Sequence, residues 1–223
     1  MTGAVYDVAT ATHAASFALG DLRTGATRGL AVTNTVLAGG SASYQDSLDV
    51  SGATASAALS TGTGINVLAG ATGQFNVTTR VAGALAADVV LTRGSNANGL
   101  AGLANSSLGT ATVAVTGTVY DLAAPTYASS LALGNLRVGA TPVSLAVTNT
   151  VTTSADYQDK LAIVATGTGL TLTNPTAITA GTAGNVGIVA AAAGSLVGNL
   201  TLGLTSQALA GTTLTDVTLA NGS

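Results

Sequence analysis

The sequence predicts an all-β chain made of two tandem sandwich domains, and three observations carry that reading. Apolar residues alternate with small polar ones at period two, turn signals recur at short intervals, and the first half of the chain returns in the second. The alternation is clear in three stretches. Leu145 and Val147 are flanked by Ser144, Ala146 and Thr148; Val113 and Val115 by Thr112, Ala114 and Thr116; Leu200, Leu202 and Leu204 by Thr201, Gly203 and Thr205. That period sets one face of a strand against a core and the other in water. Thr and Val, both abundant here, are strong strand formers. Gly20-Asp21, Thr24-Gly25, Gly62-Thr63-Gly64 and Ala69-Gly70 are turn signals. Their recurrence every 8–12 residues or so, over about 110 residues, fits a seven- or eight-stranded sandwich. Alanine would favour helix, but Gly and Thr interrupt the Ala runs, so helix is confined at most to short stretches such as Ala190–Ala193.

The repeat is read by self-comparison. Thr2-Gly3-Ala4-Val5-Tyr6-Asp7 returns as Thr116-Gly117-Thr118-Val119-Tyr120-Asp121, and Leu19-Gly20-Asp21-Leu22-Arg23 as Leu133-Gly134-Asn135-Leu136-Arg137, both 114 residues on. Leu30-Ala31-Val32-Thr33-Asn34-Thr35 returns as Leu145-Ala146-Val147-Thr148-Asn149-Thr150 at 115, and Tyr44-Gln45-Asp46 as Tyr157-Gln158-Asp159 at 113. Gly83-Ala84-Leu85 returns as Gly194-Ser195-Leu196. Drifts this small are loop changes of one or two residues, so the boundaries fall at 1–115 and 116–223. Equivalent core positions should be Leu19 with Leu133, Val32 with Val147 and Leu91 with Leu202, all inward. Residues 110–122 alternate with only Gly117 interrupting, unlike the Gly- or Pro-rich composition of a flexible linker.

Composition excludes whole classes of function. Only 7% of the 223 residues are charged, all nine acids are Asp, and there is one His and no Cys. Without Cys there is no thiol nucleophile, zinc cluster or disulfide framework. A net charge of −3, with five Arg and one Lys, is no footprint for nucleic acid. Mean hydropathy is +0.54, yet no run approaches the ~18 consecutive apolar residues of a membrane span. Thr, Gly, Ala, Asn and Asp in place of Lys and Glu is the composition of extracellular and cell-surface proteins of bacteria. So few charges leave little repulsion between molecules, and such surfaces associate.

The residues that could carry chemistry read as structural. His13 has Ser16 and Asp7 nearby in sequence, but the second repeat places Tyr127 at the same position, so no Ser-His-Asp site is expected. The carboxylate pairs are Asp46 with Asp49 and Asp156 with Asp159, flanking the Tyr-Gln-Asp motif. Weak calcium binding is the one metal reading they offer, and two carboxylates are too few to build such a site. They are expected to be polar turn residues that start a strand. No catalytic residue, metal or cofactor is assigned. Gly99-Leu100-Ala101-Gly102 lacks the Lys of a phosphate loop.

One family resemblance rests on particular residues. Leu131-Ala-Leu-Gly-Asn-Leu-Arg-Val-Gly139 is followed by Leu145-Ala-Val-Thr-Asn-Thr150, by Ala180-Gly181 and by Gly194-Ser-Leu-Val-Gly-Asn-Leu-Thr-Leu202. With the Val115-Thr-Gly-Thr-Val-Tyr-Asp121 junction, this resembles the immunoglobulin-like repeats of bacterial choice-of-anchor D surface proteins, which are related to Hydin-type domains. The resemblance covers nearly the whole chain. It implies two immunoglobulin-like β-sandwich domains and no particular activity. Asn96 stands where that family commonly has Asp.

The expectation is a non-enzymatic structural unit, outside the cell or on its surface: a fibre, matrix, surface-layer or adhesin-stalk repeat. Its partners would be copies of itself, met head to tail or through strand edges, and neighbouring repeats of a longer chain. Tyr6 and Val8 would form the uncovered end of the first repeat, and Tyr120 and Leu122 the same surface at the domain junction. The alternative is an adhesin-type binding module whose loops hold a glycan or a host protein.

Overall fold

Strands form where the alternation is strictest. The computed structural model describes residues 3–196 and 198–222, and among them there is no α-helix. Backbone proximity divides the chain into two compact units, Met1–Val119 and Tyr120–Ser223. The division falls four residues later than the repeat phase alone places it. A single long strand explains this: it runs unbroken from Ser106 to Tyr120 and pairs Val119 with Gly83.

The first unit contains β1 (Ala11–His13), β2 (Ser16–Arg23), β3 (Thr27–Asn34), β4 (Ser47–Ala53), β5 (Leu59–Thr61), β6 (Ile65–Val67), β7 (Thr72–Thr79), β8 (Gly83–Asn96) and β9 (Ser106–Tyr120). One sheet has the order β1-β3-β7-β5 and the other β2-β9-β8-β4-β6. β3 pairs antiparallel with β1 and β7, β7 with β5, β8 with β4 and β9, and β4 with β6. Between the sheets, Leu30, Val32, Phe75 and Val77 of the first meet Leu48, Val50, Val89, Leu91, Val113 and Val115 of the second. Phe75 is the largest fully buried side chain, and Gly52 on β4 makes room for it. A Cβ at Gly52 would stand 2.6 Å from Phe75 Cζ. The wet face explains the Thr content. Thr27 lies opposite Thr78 and Thr33 opposite Thr72, each pair with its hydroxyls 2.7 Å apart. Cross-strand pairs of this kind contribute roughly 0.2–1 kcal/mol each.

The second unit contains β10 (Pro125–Tyr127), β11 (Val143–Asn149), β12 (Lys160–Thr166), β13 (Leu170–Thr173), β14 (Ala183–Ala190), β15 (Thr201–Gln207) and β16 (Val217–Thr218). Its sheets have the orders β10-β11-β14-β13 and β12-β15-β16. Registers repeat those of the first unit. His13 pairs with Val32 and Tyr127 with Val147; Val32 pairs with Gly73 and Val147 with Gly184. Val32 and Val147 are fully buried, as are Leu91 and Leu202. Residues 191–194 are bends, and the only helical turns described are 3-10 turns at Ala42–Tyr44 and Ala155–Tyr157.

One expected equivalence fails. Leu19 is buried on β2, whereas Leu133 is half-buried and residues 130–137 form no strand. The cause is what lies alongside. β2 rests against β9, with the Ala114 amide donating to the Ala15 carbonyl at 3.0 Å. The strand corresponding to β9 is the two-residue β16, followed by one bridge between Leu202 and Gly222. Residues 130–137 therefore have no long neighbour to pair with, and a strand is stable only when its hydrogen bonds are taken up.

Gly52→Ala is expected to destabilise the first unit by about 1–3 kcal/mol through overpacking against Phe75. That exceeds the roughly 0.5–1 kcal/mol gained by removing a strand glycine. The urea midpoint should fall; an unchanged or raised midpoint would contradict the packing described.

Candidate functional site

The polar residues that recur in both repeats converge on one buried cluster in each unit. In the first unit its hub is Asn34, the last residue of β3, which is 0% exposed. Its Nδ2 donates to the carbonyls of Asp46 at 2.9 Å and Val67 at 3.1 Å, which lie at the edge of the opposite sheet. Its Oδ1 accepts from the Thr10 amide at 3.0 Å and from Gln45 Nε2 at 2.9 Å. Gln45 Nε2 also donates to the Thr35 carbonyl. Ser95 on β8 completes the set: its Oγ donates to Asp46 Oδ2 at 2.7 Å and accepts from the Ala9 amide at 2.8 Å. One side-chain amide thus ties both sheets to the segment leading into β1.

The second unit repeats the cluster. Asn149 Nδ2 donates to the carbonyls of Asp159 at 2.8 Å and Ile178 at 3.1 Å, and its Oδ1 accepts from the Ala124 amide and from Gln158 Nε2. Ser206 Oγ donates to Asp159 Oδ2 at 2.7 Å and accepts from the Ala123 amide at 2.8 Å. The units differ at the glutamine carbonyl. Gln158 Oε1 accepts from the Thr152 amide and hydroxyl, whereas Gln45 Oε1 has no hydrogen-bond partner among the described residues. The first unit has Leu37 at the position of Thr152, so the side chain there carries no hydroxyl.

The Tyr-Gln-Asp motif is therefore not a solvated turn. Gln45, Asp46, Gln158 and Asp159 are all buried. The carboxylate pairs do not converge either. Residues three apart along extended chain face opposite sides. Asp46 turns inward to Ser95, while half-buried Asp49 accepts from Asn66 Nδ2 and Asn96 Nδ2. Asp156 is exposed in the 3-10 turn that precedes buried Asp159. Asn96, read as a lost carboxylate, serves as the amide donor to Asp49. Among the described residues, no three His, Cys, Asp or Glu side chains are placed to share a metal ion. His13 stands on β1 with Nδ1 3.0 Å from the Ala14 carbonyl.

The four residues expected to serve assembly, Tyr6, Val8, Tyr120 and Leu122, divide into two kinds. Tyr6 packs edge-on against Tyr44 with ring centroids 5.5 Å apart, and Tyr120 packs against Tyr157 at 6.0 Å. Each tyrosine thus shields the motif of its own unit. Val8 and Leu122 stay exposed, at 52% and 37%. Sequence reasoning missed Asn34, Asn149, Ser95 and Ser206 as cluster members. The available signal was the Asn that closes Thr-Asn-Thr in both repeats, at the end of an alternating strand.

No protein-family model matches the chain, and no curated protein matches it. Among solved structures, it is similar to domains 4–9 of the surface layer protein SbsC, with a TM-score of 0.30 and 14% identity over 96% of this chain. The match spans 30% of that chain's length. A likeness at this level decides nothing about role. No described helix is long and apolar enough to cross a membrane.

Asn34→Ala strips partners from the Asp46 and Val67 carbonyls and the Thr10 amide. At about 1–3 kcal/mol for each buried orphan, the first unit is expected to lose about 3 kcal/mol or more in denaturant titration, and Asn149→Ala should do the same to the second. A loss below about 1 kcal/mol would contradict the role of the hub. Chelator treatment is expected to leave the melting temperature unchanged. A fall would show a bound metal ion that this arrangement of Asp46, Asp49, Asp156 and Asp159 does not account for.

Proposed function

We propose that the chain is a non-enzymatic structural unit of an extracellular bacterial surface assembly, which associates with copies of itself and with similar repeats. The observation that carries this reading is where the recurrent polar residues go. Asn, Gln, Asp and Ser of each repeat are turned inward to hold the sandwich together, and none is presented on a loop. What faces water is largely Thr, Ser, Ala and Gly. The short outer strands β1, β5, β10 and β13 carry no Lys, Arg, Asp or Glu, although charge is the usual protection of a sheet edge against pairing. Lys160 is the single lysine of the chain and stands on β12, at the edge of its sheet. The resemblance to choice-of-anchor D repeats supports the same reading and the surface location. A binding module would gather aromatic and polar side chains on loops at one end, whereas four of the five tyrosines are paired with each other around the buried motif.

Light scattering across a concentration series tests this. The mass is expected to rise above the 21.2 kDa of one chain and to persist at high salt, because few charges are involved. A mass of one chain at every concentration would contradict self-association.

A further inference from the structure

The two buried clusters differ at one loop, and the difference sets acceptor oxygens beside one another in the first unit. Asp7 forms an isolated parallel bridge with Gln45, as Asp121 does with Gln158. The Asp7 amide donates to the Tyr44 carbonyl and its carbonyl accepts from the Asp46 amide; Asp121 makes the same two bonds with Tyr157 and Asp159. Residues paired across a bridge turn their side chains to one side, so each carboxylate stands beside a glutamine carboxamide. In the second unit a hydroxyl joins them. Thr152 Oγ1 lies 2.7 Å from Asp121 Oδ2 and 3.2 Å from Gln158 Oε1. In the first unit the glutamine is anchored in the same way, with Nε2 donating to Asn34 Oδ1 and to the Thr35 carbonyl, as Gln158 Nε2 does to Asn149 Oδ1 and the Thr150 carbonyl. Its Oε1 therefore points to the same place. Leu37 stands there instead of Thr152, in a loop two residues longer before the tyrosine. Gln45 is 7% exposed, and its Oε1 has no hydrogen-bond partner among the described residues. Nor, among them, does a hydrogen bond or ion pair reach the Asp7 carboxylate. A third oxygen lies close by. The Leu37 carbonyl accepts from the Gly40 amide at 2.8 Å, and a Cβ on Gly40 would stand 3.0 Å from Asp7 Oδ2 and 3.1 Å from that carbonyl oxygen. Carboxylate and carbonyl oxygens only accept, and leaving a buried acceptor unmatched is costly.

We propose that the first unit binds a monovalent metal cation, sodium, between the Asp7 carboxylate and Gln45 Oε1, where the second unit uses the Thr152 hydroxyl. Hard oxygen donors suit an ion of this kind. Charge decides between one positive charge and two. A single carboxylate balances a single charge, and calcium sites gain affinity with the number of their carboxylates. The Leu37 carbonyl and water complete the coordination. The ion ties the loop of residues 36–44 to the segment leading into β1, so this end of the first unit is stabilised by sodium and the same end of the second is not. A chelator of divalent ions does not withdraw it.

The test uses the whole chain in sodium chloride or choline chloride at one ionic strength. Sodium is expected to raise the melting temperature by about 2 °C or more over choline, saturably with concentration. The sodium NMR line should broaden in the presence of the protein. Asp7→Asn should lose both the rise and the broadening. It should nevertheless melt at or above the native chain in choline, because its Nδ2 can donate to Gln45 Oε1. Asp156→Asn, at an exposed carboxylate of the second unit, should change neither readout. Equal melting temperatures in sodium and choline would overturn the proposal, since water would then be enough to match the two oxygens. A rise that survives Asp7→Asn would overturn it by placing the ion elsewhere. Stabilisation by calcium chloride without any by sodium chloride would overturn it by assigning the wrong charge.

Discussion

Each unit depends on a single buried carboxamide, Asn34 or Asn149, at the end of a central strand. Sheets in a sandwich are otherwise held by apolar contact, which is strong but does not fix register or fold-back direction. The amide supplies direction. It has two donors and two acceptor lone pairs, and in each unit all four are used: two carbonyls at the opposite sheet, the amide of the segment leading into the first strand, and the glutamine of Tyr-Gln-Asp. A buried amide so fully satisfied specifies one arrangement, although in the first unit the network around it leaves Gln45 Oε1 and Asp46 Oδ1 without a hydrogen-bond partner among the described residues. The neighbouring serine and aspartate extend the network to the strand that carries Ser95 or Ser206, so the lead-in segment is fixed from both sheets.

Around that hub the composition follows from packing. With only two Phe and no Trp, the core is built of Val and Leu between close-set sheets, and glycines such as Gly52 and Gly117 mark where a ring or a backbone comes too near for a side chain. Threonine occupies the wet faces as hydroxyl pairs across strands. The resulting surface carries few charges.

Much of this was legible in the sequence. The repeat placed Val32 with Val147 and Leu91 with Leu202 at matching positions, and His13 with Tyr127, because a period-two pattern and a fixed order of motifs leave little freedom in register. The burial of Asp46 and Asp159 was not legible. Aspartate is rarely buried without a partner, and the partners, Ser95 and Ser206, are 49 and 47 residues farther along and look like ordinary strand serines. The loss of a β2 counterpart was hidden too. Leu133-Gly134-Asn135-Leu136-Arg137 keeps the local pattern of Leu19-Gly20-Asp21-Leu22-Arg23, but a strand is made by its neighbour as well as by its own residues.

The proposed function turns on the same economy of polar groups: the Asn, Gln, Asp and Ser that recur in the two clusters are buried. Native-state hydrogen exchange tests the hub most directly. The amides of Ala9, Thr10, Ala123 and Ala124 lie outside the strands, yet donate to Ser95, Asn34, Ser206 and Asn149 side chains. Exchange of these four as slow as that of Val32 and Val147 at the strand centres is the predicted result, since they would open only when the unit unfolds. Exchange at the rate of exposed loop amides would contradict the account.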